Sequence, residues 1–267
     1  MRSELATGTV NLHAEVRGEG EKTVVLLHGL FGSGSNLLAL TKYLSPFYKV
    51  VLLDLRNHGK SAHSDVMDIP HMAKDVIAKL DDLDINQADI MGHSLGGKVA
   101  MDVAASFPER VRQLVVADIA PVAYGRGHDD ILTALQGLDL RGIESRQQAD
   151  VELQSAIPEV AIRQFLLKNL MRSSDENWAW KMNLSAIAQC YDNLSEAPSK
   201  GIFSGPTLFI RGGASDYIKD EYRVGIQKQF PNVEIKTIEE AGHWLHAEKP
   251  VIFNEMVLSF LRGSDDF

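Results

Sequence analysis

The chain is poor in cysteine, in net positive charge and in long apolar runs. Cys190 is the single cysteine among 267 residues, so no internal disulfide can form. A reducing compartment, the cytoplasm, is the expected location. Nothing around Cys190 resembles an activating environment for a thiol nucleophile, and it reads as a buried or half-buried spectator. Lys and Arg number 27 against 36 Asp and Glu, a formal net charge of −9. Nucleic acids and anionic membrane surfaces are held by clustered cations, so this balance argues against both as partners. No stretch approaches the length of a membrane span, and Met1-Arg2-Ser3-Glu4-Leu5 lacks the apolar core of a secretion signal. No Cys/His cluster suggests a metal, and no dinucleotide fingerprint follows the first buried strand. The basic stretch Arg56-Asn57-His58-Gly59-Lys60-Ser61 lacks the G-x-x-x-x-G-K-[ST] spacing of a phosphate loop. Neither a cofactor nor a metal is expected. Internal repeats and low-complexity tracts are also missing, and the acidic Asp265-Asp266 reads as a frayed end.

What remains is 45% hydrophobic, enough to bury a full core. Val10 to Val16 alternates like a half-exposed strand. Continuous apolar runs at 23–27, 49–53, 88–91, 111–117, 206–210 and 233–238 read as strands. Helical stripes separate them. One opens near Pro70 and carries Met72, Ala73, Val76, Ile77, Leu80 and Leu83; the last carries Phe253, Met256, Val257, Phe260 and Leu261. Asp68, His71 and Asp75 read as a solvated face of the first of these helices. Alternating strands and helices imply an α/β fold with a mostly parallel sheet covered on both faces. The alternation breaks between 122 and 200, where helical stripes (Val160, Phe165, Leu166, Leu170) and the pair Trp178 and Trp180 occur without a buried strand. The expected organisation is a core of residues 1–121 and 201–267, with 122–200 inserted as a helical lid over one sheet edge.

Polar and Gly-rich clusters fall at the carboxyl ends of the strands, where such sheets place their chemistry. The most telling is Gly92-His93-Ser94-Leu95-Gly96-Gly97. It follows a strand and precedes the helical spacing of Val99, Ala100, Val103 and Ala104, the context of a nucleophile elbow. Its glycines permit a sharp turn that lifts the Ser94 hydroxyl above the sheet edge. A serine nucleophile needs a base, and the base an orienting acid. Among nine histidines, His243 in Ala241-Gly242-His243-Trp244 follows the last strand, whereas His246 opens the final helical region and reads as structural. Two acids compete. Asp118 ends the strand after the nucleophile helix on a short mount; Asp216 lies further out, in Gly213-Ala214-Ser215-Asp216. Both precede His243, so chain order does not choose between them. The oxyanion donors expected are the N–H groups of Leu95, from the elbow, and Leu30, after His28-Gly29, with Phe31 close by. The loop 56–61 reads as a hydrogen-bonded buttress that leaves Arg56 or His58 free to touch a substrate.

Taken together, these residues resemble the α/β-hydrolase fold superfamily, and more narrowly the YbfF-type bacterial esterases and their mitochondrial relatives. The resemblance spans nearly the whole chain. It rests on His28-Gly29-Leu30-Phe31-Gly32-Ser33, Asp54-Leu55-Arg56-Asn57-His58-Gly59, Gly92-His93-Ser94-Leu95-Gly96-Gly97-Lys98, Asp118-Ile119-Ala120-Pro121-Val122, Arg163-Gln164-Phe165-Leu166-Leu167 and Gly242-His243-Trp244. The resemblance implies hydrolysis of short acyl esters and of acyl-CoA thioesters. It also implies Asp118 as the acid, Ser215 as an auxiliary partner of His243, and Trp244 as a wall of the acyl pocket.

The expected activity is therefore that of a serine carboxylesterase with a small-molecule ester or thioester substrate, working through an acyl-enzyme on Ser94. A carboxylate nucleophile, as in dehalogenases and epoxide hydrolases, is excluded by Ser94 at that position. Two alternatives share the scaffold: a cofactor-free haloperoxidase-like hydrolase, and a non-catalytic small-molecule receptor. Acyl length and oligomeric state are not written in the sequence.

Overall fold

The computed structural model describes residues 8–263. Residues 1–5 and the Asp265-Asp266 pair, both read above from sequence, lie outside them. The strands are β1 (Ala14–Arg17), β2 (Thr23–Leu27), β3 (Lys49–Leu53), β4 (Ala88–His93), β5 (Val111–Ala117), β6 (Leu170–Arg172), β7 (Trp178–Trp180), β8 (Thr207–Gly212) and β9 (Val233–Ile238). Seven of them form one sheet in the order β1-β3-β2-β4-β5-β8-β9. All pairings in it are parallel except β1 on β3, where Ala14 faces Leu53 antiparallel. The alternating stretch beginning at Val10 thus supplies a shorter strand than its pattern suggests, at the sheet edge where a half-exposed strand belongs.

Side chains of a strand alternate between faces, and here each face has its own core. Val25, Leu27, Val51, Leu53, Ile90 and Phe209 point to one side, against α2 (Ile69–Asp82) and α3 (Leu95–Ser106). Val24, Leu26, Val50, Leu52, Met91 and Leu208 point to the other, against α1 (Leu38–Leu44) and the long C-terminal helix Pro250–Gly263. A fully buried side chain of this kind contributes about 1.5–3 kcal/mol, so burial on both faces is what fixes β2 to β5 at the centre.

Between β5 and β8 the chain leaves the sheet. It forms α4 (Asp129–Gly137), α5 (Arg146–Leu153), α6 (Val160–Leu166), α7 (Leu184–Gln189) and α8 (Tyr191–Ser195). The sequence reading treats this segment as helical throughout. The structure adds the hairpin β6–β7, turned at Glu176 (φ 61°), outside the main sheet. The Arg172 guanidinium lies 4.2 Å from the Trp178 ring centroid, a contact that a helical reading has no place for. Arg163, buried in α6, holds the segment together. It pairs with Asp150 of α5 at 2.9 Å and donates to the carbonyls of Ile157 and Pro158, each at 2.8 Å. Cys190 is buried, with its thiol against the Asp65 carbonyl.

One reading of polar residues is corrected. Asp68, His71 and Asp75 are not a solvated face. The Asp68 side chain caps α2 by accepting from the His71 N–H at 2.8 Å. Asp75 is 1% exposed and forms a two-pronged ion pair with Arg56 at 2.6 and 2.8 Å. Its helical position is that of a surface residue, but the Val10 N–H donates to it and Arg56 brings the cation that makes burial tolerable.

Candidate active site

β4 runs into α3 through Ser94, whose backbone is held at φ 53° and ψ −119°. A non-glycine residue at positive φ is strained, and here the surroundings leave no other path. A Cβ at Gly92 would stand 2.1 Å from the Gly96 carbonyl oxygen, and one at Gly96 2.4 Å from that of Leu27. The Ser94 N–H donates to the Ala117 carbonyl at 3.0 Å, which ties the turn to the end of β5.

The Ser94 hydroxyl donates to His243 Nε2 at 2.9 Å, and His243 Nδ1 donates to Asp118 Oδ2 at 2.8 Å. Asp118 is wholly buried, at φ 51°, directly past β5. Its other oxygen accepts from the Gly212 N–H at 2.9 Å, and the Ser215 hydroxyl donates to Oδ2 beside the imidazole. Asp216 is exposed and borders a cavity mouth, so the carboxylate against the imidazole belongs to Asp118.

Three further groups fix the imidazole. Glu248 accepts from the N–H groups on both sides of it, Gly242 at 2.7 Å and Trp244 at 3.2 Å. His93 Nε2 donates to the His243 carbonyl at 2.8 Å. The Tyr217 ring stacks on the imidazole, with centroids 4.1 Å apart. His246 packs edge-on against His93 at 4.5 Å instead of reaching Ser94. Burial pushes the pKa of His246 down to about 4 and that of His93 well below its ordinary value, so both rings are neutral supports.

Gly29 to Gly32 form a tight turn, closed by a 3.0 Å bond from the Gly32 N–H to the Gly29 carbonyl, with Phe31 at φ 60°. The Phe31 N–H donates to His58 Nε2 at 3.2 Å and is spent inside the protein. The Leu30 N–H lies outside the turn's own bond. Leu95 is the first residue of α3, so no helical carbonyl precedes its N–H. Both residues border the cavity at Ser94. Arg56 and His58 do not reach that cavity. Both are fully buried, and His58 supports the turn from beneath, its pKa pushed down to about 3, chiefly by burial.

Two chambers meet at Ser94. The larger, about 440 Å³, is bordered by Leu95, Ile119, Tyr124, Tyr191 and Leu194. The smaller, about 250 Å³, is bordered by Phe31, Ile162, Phe165, His243 and Trp244. Leu30, Ser94, Gly127, His128 and Tyr217 border both. Tyr217 and His128 went unnoticed in the sequence. Tyr217 follows Ser215-Asp216 directly, and an aromatic beside candidate acids was the available signal. His128 sits in Gly125-Arg126-Gly127-His128, downstream of Asp118; its Nδ1 lies 2.6 Å from the Tyr191 hydroxyl.

Residues 22–250 match the family model described as the alpha/beta hydrolase fold. The chain is 40% identical over 239 residues to a putative esterase/lipase of Haemophilus influenzae, covering 89% of this chain and 82% of that protein. It is 38% identical over 228 residues to esterase YbfF of Escherichia coli, covering 85% and 88%. Among solved structures, a marine microorganism esterase superposes with a TM-score of 0.92 at 36% identity, over 94% of this chain and 100% of that one. The chain belongs to the alpha/beta hydrolase fold family, in its YbfF-type branch.

Proposed function

We propose that the protein is a serine carboxylesterase hydrolysing short-chain acyl esters, with acyl-CoA thioesters among its substrates, through an acyl-enzyme on Ser94. The observation that carries this is the continuous hydrogen-bond line from Ser94 through His243 to buried Asp118. The names of the relatives, esterase and esterase/lipase, support it. In this reading His243 takes the Ser94 proton as Oγ attacks the carbonyl carbon. The Leu30 and Leu95 N–H groups hold the oxyanion, each worth about 3 kcal/mol of the barrier. His243 then activates water to release the acid. Asp118 holds the imidazole in the Nδ1–H tautomer and stabilises its charged form, with Ser215 an auxiliary donor to the same carboxylate. Phe31 and Trp244 touch the substrate, and residues 122–200 act as a cap on a core of 1–121 and 201–267. The lone cysteine supports a reducing, cytoplasmic setting. Among the described residues no helix is long and apolar enough to cross a membrane.

The test is turnover of p-nitrophenyl acetate and butanoate and of acetyl-CoA. Wild type is expected to cleave the esters, and Ser94→Ala to lose that activity by at least about a thousandfold in kcat. Absence of ester and thioester cleavage by wild type would sink the reading.

A further inference from the structure

We propose that the acyl group of the substrate occupies the larger chamber, against Leu95, Ile119 and Leu194, and the alcohol the smaller, against Ile162, Phe165 and Trp244. The assignment rests on the esterase reading above. The tetrahedral carbon carries four groups: Ser94 Oγ, the oxyanion, the acyl carbon and the leaving oxygen. Collapse breaks the bond to the leaving oxygen, which keeps the electron pair and takes the proton that His243 Nε2 received from Ser94. The leaving oxygen must therefore stand within hydrogen-bond reach of Nε2. His243 borders only the smaller chamber. Leu95, whose N–H receives the oxyanion, borders only the larger. With these two directions taken, the acyl carbon points past Leu95. Trp244 then lies beside the alcohol, not beside the acyl group as the resemblance implies.

The larger chamber also indicates the kind of acyl group. Two of its three lysine and arginine cations are committed: Lys98 donates to the carbonyls of Leu194, Ser195 and Glu196 at 3.1, 2.7 and 2.7 Å, and Arg126 pairs with Asp129 and Asp192. The Tyr124 hydroxyl accepts from the Ala120 N–H and donates to the Tyr217 carbonyl. Lys219 and Asp216, of opposite sign, border it at exposed positions. The chamber suits a neutral apolar acyl chain longer than acetyl.

The experiment compares two ratios of kcat/KM within each enzyme, followed by proton release: methyl hexanoate over methyl acetate, and benzyl acetate over methyl acetate. Leu194→Trp is expected to lower the first ratio about tenfold and to leave the second within about twofold; Phe165→Trp is expected to do the reverse. Leu194→Ala and Phe165→Ala, which enlarge the same walls, should move the same ratios upward and cover any misfolding of the tryptophan variants. The opposite pattern, or both ratios moving together in each variant, overturns the assignment while leaving the esterase reading intact. If wild type cleaves none of these esters, the assignment fails; if it also cleaves neither the p-nitrophenyl esters nor acetyl-CoA, the esterase reading fails as well.

Discussion

Asp118 accepts three hydrogen bonds while wholly buried, all from other segments: Gly212 at the end of β8, Ser215 past it, and His243 past β9. A carboxylate held so tightly is suited to orienting an imidazole. Asp118→Asn is expected to lower kcat about 10⁴-fold, because an amide NH₂ facing Nδ1 favours the wrong tautomer. Asp216→Asn should change kcat by less than about threefold, as an exposed carboxylate away from the imidazole would. Steady-state kinetics on both variants decide between them, and a large loss only at Asp216 would overturn the assignment. Nothing in the one-dimensional order separates these two acids. The choice lies in which strand end stands against the histidine loop, and Asp118 Oδ2 is the oxygen 2.8 Å from His243 Nδ1. Tyr217 makes a finer test. Its ring face against His243 supports the imidazolium by about 0.5–1 kcal/mol, so Tyr217→Leu should lower kcat severalfold, while Tyr217→Phe keeps it.

The helix that carries Asp75 shows where an element can be read and where it cannot. Its apolar stripe, Met72, Ala73, Val76, Ile77 and Leu80, was legible from spacing because burial of one face imposes the 3.6-residue period. Asp75 was not, because its partner Arg56 lies on a loop 19 residues earlier and no local pattern announces a buried ion pair. Breaking that pair strands a charge in the interior. Asp75→Ala is expected to reduce the unfolding free energy by about 3–5 kcal/mol in urea titrations, and the joint replacement Arg56→Met with Asp75→Leu by much less. The elbow is the opposite case. Its glycines, its serine and the flanking strand and helix are contiguous, so their shape was written in one stretch of sequence.

Across the molecule, five imidazoles (the buried His28, His58 and His93 and the half-buried His128 and His246) have pKa values lowered chiefly by desolvation, to about 3 for His58 and about 4 for His246, from an ordinary 6.5. Below pH 6.5 the unfolded chain takes up protons that the folded chain refuses. Stability is therefore complete above that pH and falls as pH drops toward 4. The melting temperature is expected to decline through this window, and His58→Gln to flatten the decline relative to its own value at pH 7.5. An acid-independent melting temperature between pH 6.5 and 4.5 would contradict the burial of these rings. The sheet and its covering helices were legible at this scale, because strands buried on both faces stand out as apolar runs. The two chambers were not. Their walls come from the turn after β2, the elbow, the loop after β5, α6, α8, the loop after β8 and the histidine loop, and no spacing in the sequence encodes how those pieces converge.

Glu248 grips the amides on either side of His243, and the C-terminal helix Pro250–Gly263 begins two residues after it. The imidazole is thus moored to the last helix as well as to its own loop. Peeling that helix from the sheet amounts to withdrawing the base from the serine. Heat inactivation should precede loss of sheet signal, and a covalent adduct on Ser94 that engages His243 should slow amide exchange along residues 250–263, more than twenty ångströms of chain that never meets the substrate.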